Sequence, residues 1–276
     1  MPDRALRPRS GSSAKALLLT ILGEFVLPHG EAAWTGTLVG SLGALGVEEG
    51  NARQAVARLA DQHLVRSERD GRRVRWHLTT EGRHLLTTGT ERIYRFGAGK
   101  DEWDRHWLVV LCSVPEEQRA RRHQLRSRLG FAGFGFLSPA VALSPHLDRE
   151  DTANDILKDL DLLPGAVVLR AEAGELVPAE ELLRRAWDLD GLHDEYRAFL
   201  DAFERRTPRS DDARFAALVE LVHRWRRFPF VDPEIPDRLL PARWPGRRAK
   251  AVFDEKHRAW APGANQFFEA LEDGAR

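Results

Sequence analysis

Apolar positions recur at helical spacing three times in the first sixty residues, and the pattern then shifts to a two-residue alternation. Residues 14–27, AKALLLTILGEFVL, are apolar at 17, 18, 21, 22, 25 and 26, which predicts an amphipathic helix ended by Pro28-His29-Gly30. Residues 31–34 predict a short extended piece, and Thr35 or Gly36 opens a second helix with Leu38, Val39, Leu42 and Leu45 on one side and a stop at Gly46. Over 49–62 the residues Ala52, Val56, Leu59 and Ala60 form an inward stripe, while Arg53, Gln54, Ala57, Arg58 and Asp61 face out. After His63, Leu64-Val65 starts an extended run, Asp70-Gly71 fits a tight hairpin turn, and residues 72–78 return with alternating character. A short helix over 81–89 closes the module near residue 95, and residues 97–102 form a polar linker containing glycine.

Beyond the linker the pattern changes class. Residues 107–114 are a continuous apolar run of strand length halted by Pro115, and 116–130 a charge-dense helix. Residues 134–137 and 141–143 make two short strands around Ser138-Pro139, followed by a helix over 149–160 and a strand over 166–170. Strand, helix, two strands, helix, strand is a split βαβ, ferredoxin-like order. The last third is helical: 178–187, 192–205, 213–228 stopped by Pro229, and 249–271, with prolines 233, 236, 241 and 245 fixing a long irregular connection. The expected fold class is therefore α+β and multidomain. Its parts are a disordered arm over 1–13, a winged helix-turn-helix domain over 14–96, a ferredoxin-like central domain over 103–172 and a helical C-terminal domain over 178–276.

Charge sharpens the reading of the first module. The chain has 42 basic and 42 acidic residues, so no global field draws it to nucleic acid. The attraction must be local, and the hairpin supplies it: Arg66, Arg69, Arg72, Arg73 and Arg75 stand against only Glu68 and Asp70. Such a ribbon suits a phosphate backbone, although arginine-rich hairpins also serve as charge-protected sheet edges. A helix sized for the major groove beside a basic hairpin predicts double-stranded DNA as the partner. Arg53, Gln54 and Arg58 are the side chains expected to reach bases or phosphates, with Asn51 near the helix start either joining them or capping the helix. The single Cys112 excludes an intrachain disulfide and a cysteine-built metal site, which suits a reducing cytoplasm. The ten histidines show no metal spacing, no carboxylate pair stands out as catalytic, and no run approaches a membrane span. The expectation is a protein without catalytic residues, metal or cofactor.

The first module, residues 103–145 (WDRHWLVVLCSVPEEQRARRHQLRSRLGFAGFGFLSPAVALSP) and residues 224–249 (RWRRFPFVDPEIPDRLLPARWPGRRA) resemble, in that order, the PaaX-like transcriptional regulators, repressors of phenylacetate degradation. The resemblance implies a homodimeric cytoplasmic repressor that leaves its operator when an aromatic acyl-CoA such as phenylacetyl-CoA binds, the alternative being a regulator of the same family that answers to an unrelated small molecule. Its central domain is similar to small CRISPR-associated endoribonucleases, which hold a metal with an acid at the end of the first strand. Here that place carries Cys112 and Ser113, so dimerisation or signal relay is expected in place of nuclease chemistry. Arg226, Arg227, Arg247 and Arg248 would suit the phosphates of the effector, and Phe228, Phe230 and Trp244 its ring. These side chains serve equally as packing groups at helix ends.

Overall fold

The computed structural model describes residues 13–97, 103–172 and 177–275. Of the arm expected over 1–13 only Ser13 is among them, and of the linker over 97–102 only Gly97. The chain is a multidomain α+β protein divided into two compact units. The first comprises the described residues of Met1–Arg95, Phe199–Arg227 and Lys250–Arg276, and the second those of Phe96–Ala198 and Phe228–Ala249. In chain order the elements to residue 95 are α1 (Ala14–Ile21), β1 (Ala32–Trp34), α2 (Thr35–Gly43), α3 (Glu49–Asp61), β2 (Val65–Asp70), β3 (Arg73–Leu78) and α4 (Thr80–Arg95). Then come β4 (His106–Cys112), α5 (Arg119–Phe131), β5 (Gly135–Ser138), β6 (Val141–Ser144), α6 (Glu150–Asp159) and β7 (Ala166–Glu172). Last are α7 (Ala179–Ala186), α8 (Leu189–Phe203), α9 (Asp211–Trp225), α10 (Phe228–Val231) and α11 (Gly246–Ala275).

In the first unit Ser13 starts α1 by accepting the Ala16 N–H on its hydroxyl (3.2 Å). The helix expected to run unbroken to residue 27 is α-helical to Ile21 and π-helical over Leu22–Val26, where Leu27 N–H reaches back to Leu22 O (2.8 Å). That wider turn carries Phe25, fully buried, whose ring meets Phe215 at 4.9 Å and Phe268 at 5.3 Å. Partners from α9 and α11 thus complete the core under α1. Both come from the stretch expected to form a separate C-terminal domain, and the helices after residue 178 are divided between the two units. The sheet of this unit is antiparallel in the order β1-β3-β2.

In the second unit four antiparallel strands stand in the order β5-β6-β4-β7. Alternation along β4 sends Leu108, Val110 and Cys112 to a core shared with Leu125 and Leu129 of α5 and Ile156 and Leu157 of α6. Trp107 points the other way, into a second cluster with Leu143, Leu183, Leu189, Ile235 and Leu239. Cys112 is buried, and burial raises its thiol pKa. The helix expected to reach residue 228 ends at Trp225, and Pro229 is the second residue of the new one-turn helix α10, where its missing N–H costs nothing.

Candidate nucleic-acid interface

The inward stripe of α3 is Ala52, Ala55, Val56 and Leu59, all buried, while Asn51, Arg53, Gln54, Ala57, Arg58 and Asp61 are exposed. Val56, Leu59 and Ala55 hold the helix to α1 and α2 and leave the polar face outward. Glu48 occupies the N-cap without a side-chain bond, so Asn51 does not cap: it is the third helical residue and open to solvent. Arg53 turns to Glu49 on its own helix, Nε to Oε1 at 2.9 Å and Nη2 to Oε1 at 2.7 Å. Both side chains are more than half exposed, so this pair is weak and a phosphate can displace it. Arg58 makes no salt bridge among the described residues, and it lies one turn after Gln54.

The hairpin differs from expectation by one residue. Asp70 pairs with Arg73, so the two loop residues are Gly71 and Arg72, with Gly71 at φ +58°. Glycine at the first loop position is where a type II′ turn places it, and this sets the register of both strands. Because directly opposite residues share a face, Arg66, Glu68, Asp70, Arg73, Arg75 and His77 project to one side, with Trp34 of β1 opposite Arg75. Arg69 projects to the other side with Val74 and Trp76. Glu68 contacts both Arg66 (3.5 Å) and His77 (3.1 Å). Arg69, Arg72 and Arg73 are exposed and have no salt bridge among the described residues, and Trp34, Asp70, Arg72 and Arg73 line an open cleft at the tip.

Arg75, expected among the phosphate contacts, is only partly exposed. Its guanidinium lies 5.4 Å from the centre of the Trp34 ring, and Nη2 is 3.8 Å from Glu272 Oε1 of α11. Two further bonds fix the hairpin to the start of α2: Trp76 Nε1 donates to Thr35 Oγ1 (2.9 Å), whose own proton goes to Val74 O (3.1 Å). Glu272 is a residue of this region that no sequence signal marks. It is one acid among several in a long helix, and only folding brings it to residues 34–37 and 75.

A second polar cluster joins three helical segments of the first unit. The Tyr94 hydroxyl is held between Glu24 Oε1 (2.5 Å) and His257 Nε2 (2.7 Å), and His257 Nε2 lies 2.9 Å from Glu24 Oε2. Burial and the Glu24 carboxylate push the Tyr94 phenol far above its usual range, so it stays protonated and donates.

Of the seven residues expected to hold an effector, the three aromatics make ring contacts within the second unit. Phe228 is buried and stacks on Tyr196 at 4.2 Å, Trp244 meets the same ring edge-on at 6.2 Å, and Arg247 is ion-paired to Asp237. Phe230 is exposed and stacks on Phe131 (5.5 Å). Arg248 and Arg227 are exposed, and Arg226 is half-buried. Arg226 and Arg227 fall in the first unit and the other five in the second. Among the described residues no three His, Cys, Asp or Glu side chains gather as a metal site requires, and no helix is long and apolar enough to cross a membrane.

Three family models match the chain in succession. They describe a PaaX-like protein (residues 13–82), a PaaX protein central Cas2-like domain (100–183) and a PaaX-like protein C-terminal domain (187–270). The transcriptional repressor PaaX of Escherichia coli K12 is 27% identical over 271 residues, covering 94% of this chain and 83% of that one. An uncharacterized protein of Mycobacterium tuberculosis superposes with a TM-score of 0.65 over 95% of this chain and 99% of its own, at 20% identity, a likeness of fold alone.

Proposed function

The chain belongs to the PaaX-like family, and from that premise we propose that it is a DNA-binding transcriptional regulator that represses a catabolic operon. Residues 14–96 act as a winged helix-turn-helix, with α3 in the major groove and the β2–β3 hairpin along the adjacent backbone. One observation carries this reading: the outward face of α3 offers Gln54 and Arg58 beside a hairpin whose Arg69, Arg72 and Arg73 have no intramolecular salt bridge among the described residues. Asn51 and Arg53 extend the same face, and Arg75 stands behind it. The strand order β5-β6-β4-β7 supports a ferredoxin-like central domain. Its β4 leads into Cys112 and Ser113 with no carboxylate to hold a metal, so it serves dimerisation or relay. The protein works in the cytoplasm as a homodimer that occupies successive major grooves and excludes polymerase. An aromatic acyl-CoA such as phenylacetyl-CoA is the proposed effector.

The test separates base reading from phosphate binding. A duplex recovered by the wild-type chain from a random pool is compared with a scrambled duplex over a range of salt. Arg58→Ala should lose about 1 to 3 kcal/mol on the recovered duplex and little on the scrambled one, as expected for a bidentate guanine contact. Arg72→Ala with Arg73→Ala should weaken both duplexes and flatten the salt dependence by about 0.9 for each phosphate that is no longer neutralised. If neither variant changes either affinity, this face does not meet DNA.

A further inference from the structure

We propose that Glu272, in the last turn of α11, is a positioning residue for DNA readout, locking the start of α2 and the hairpin into one rigid frame. This role rests on reading residues 14–96 as the DNA-binding module. The start of α2 has an unusual deficit. Its N-cap is Trp34, no side chain of the helix caps it, and its first turn holds no acid. One way to close this end is a capping box, in which a carboxylate three residues into the helix reaches back to the N–H of the N-cap residue. Here that third position is Thr37, and the carboxylate arrives from 238 residues away. Glu272 Oε2 accepts the Trp34 N–H at 3.3 Å and the Thr37 hydroxyl at 2.7 Å. The half of a capping box that closes the N-cap N–H is therefore supplied by a residue on another helix, and the same oxygen holds the hydroxyl of the third helical residue.

The other carboxylate oxygen reaches the hairpin. Glu272 Oε1 is 3.8 Å from Arg75 Nη2, and Arg75 lies over the Trp34 ring. A single side chain thus hydrogen-bonds the first turn of α2 and the end of β1 and lies at ion-pair distance, without a hydrogen bond, from the middle of β3. The site is dry enough to make these contacts count: Thr37 is fully buried and the Glu272 side chain only 12% exposed. A charge-assisted bond shielded from water is stronger than an exposed pair. Helix α11 also comes close at this point. A Cβ on Gly36 would stand 3.2 Å from Ala275 Cβ, and one on Gly40 3.2 Å from Leu271 Cδ2. Since α2 packs directly on α3, the angle between the reading helix and the hairpin is set from α11.

The experiment uses the full chain with Glu272→Ala and Glu272→Gln, the two duplexes above and amide hydrogen exchange. Because both hydrogen bonds converge on one oxygen, a glutamine carbonyl can accept both. The alanine variant should exchange the Trp34 amide at least tenfold faster and should lose at least tenfold of the recovered-to-scrambled affinity ratio, well below its melting temperature. The glutamine variant should restore the slow Trp34 exchange and most of the ratio. A residue with only a structural role would lower the melting temperature and weaken both duplexes in proportion, leaving the ratio intact, and that result overturns the proposal. So does an alanine variant with wild-type exchange at Trp34. If the wild-type chain prefers no duplex, the functional reading fails and this role with it, while altered Trp34 exchange would still establish the contact itself.

Discussion

His223 of α9 turns its ring inward, with Nδ1 3.4 Å from the Thr20 hydroxyl of α1. Burial first, and then the charges of Arg226, Arg227 and Arg224, push its pKa from the ordinary 6.5 down to about 4. In the unfolded chain the same imidazole takes a proton near pH 6.5, so between these values the unfolded state binds more protons and stability rises with pH. The contribution is complete above about pH 6.5 and is lost as pH falls toward 4. His223→Gln should therefore show a flatter dependence of Tm on pH between 7 and 4.5 than the wild type, and parallel curves for the two chains would contradict this. At this scale the sequence reveals direction better than partnership. The helical period alone turns Arg58 outward and Val56 inward, and the structure has them so. Arg75 looks no different from Arg73 in the sequence, yet Trp34 and Glu272 draw it back from the surface. Ala55 is also buried, although its small side chain adds little to the apolar stripe.

Among the elements, α4 shows how one position can decide how closely a helix lies. Thr79 accepts the Gly82 N–H on its hydroxyl (3.0 Å) and donates to His63 O (2.5 Å), which ties the start of α4 to the chain leaving α3. A Cβ on Gly82 would collide with the backbone carbonyl of Leu64, which cannot swing aside, whereas one on Gly89 of the same helix would meet nothing within 4 Å. Gly82→Ala should thus lower the urea midpoint by forcing α4 off this connection. Gly89→Ala should raise stability by about 0.5 to 1 kcal/mol, because alanine loses less backbone entropy in a helix. Equal shifts from the two would dismiss the contact at Leu64. The elements themselves were largely legible, since α1, α2 and α3 follow their own helical period and β4 its apolar run, while the hairpin was marked by its turn dipeptide. Their ends were less so. Asp70-Gly71 reads as the turn dipeptide, but cross-strand pairing moves the loop to Gly71 and Arg72. The last helix, expected over 249–271, runs from Gly246 to Ala275 and takes in Pro262 as expected.

For the whole molecule, the proposed regulation makes a direct prediction. Phenylacetyl-CoA should weaken binding to the recovered duplex by roughly 5- to 150-fold, a coupling of about 1 to 3 kcal/mol, while free CoA and free phenylacetate should do less. Only the thioester carries both phosphates and ring. A series of acyl-CoA thioesters that leaves the affinity unchanged would remove this class of effector. The division into units was the least legible feature. Hydrophobic period reports which face of a helix is buried but not what buries it, and so α9 and the greater part of α11 joined the N-terminal core without any local signal. This interleaving bears on how the chain is made. During synthesis α1 and α2 emerge well before Phe215, Phe268 and Glu272, so the ring contacts of Phe25 and the closure of α2 must wait for residues roughly two hundred or more positions behind them. Domains usually fold in order as they leave the ribosome. Here α1, α2 and α3 can pack on one another, but the ring of Phe25 and the first turn of α2 stay uncovered until the later helices arrive.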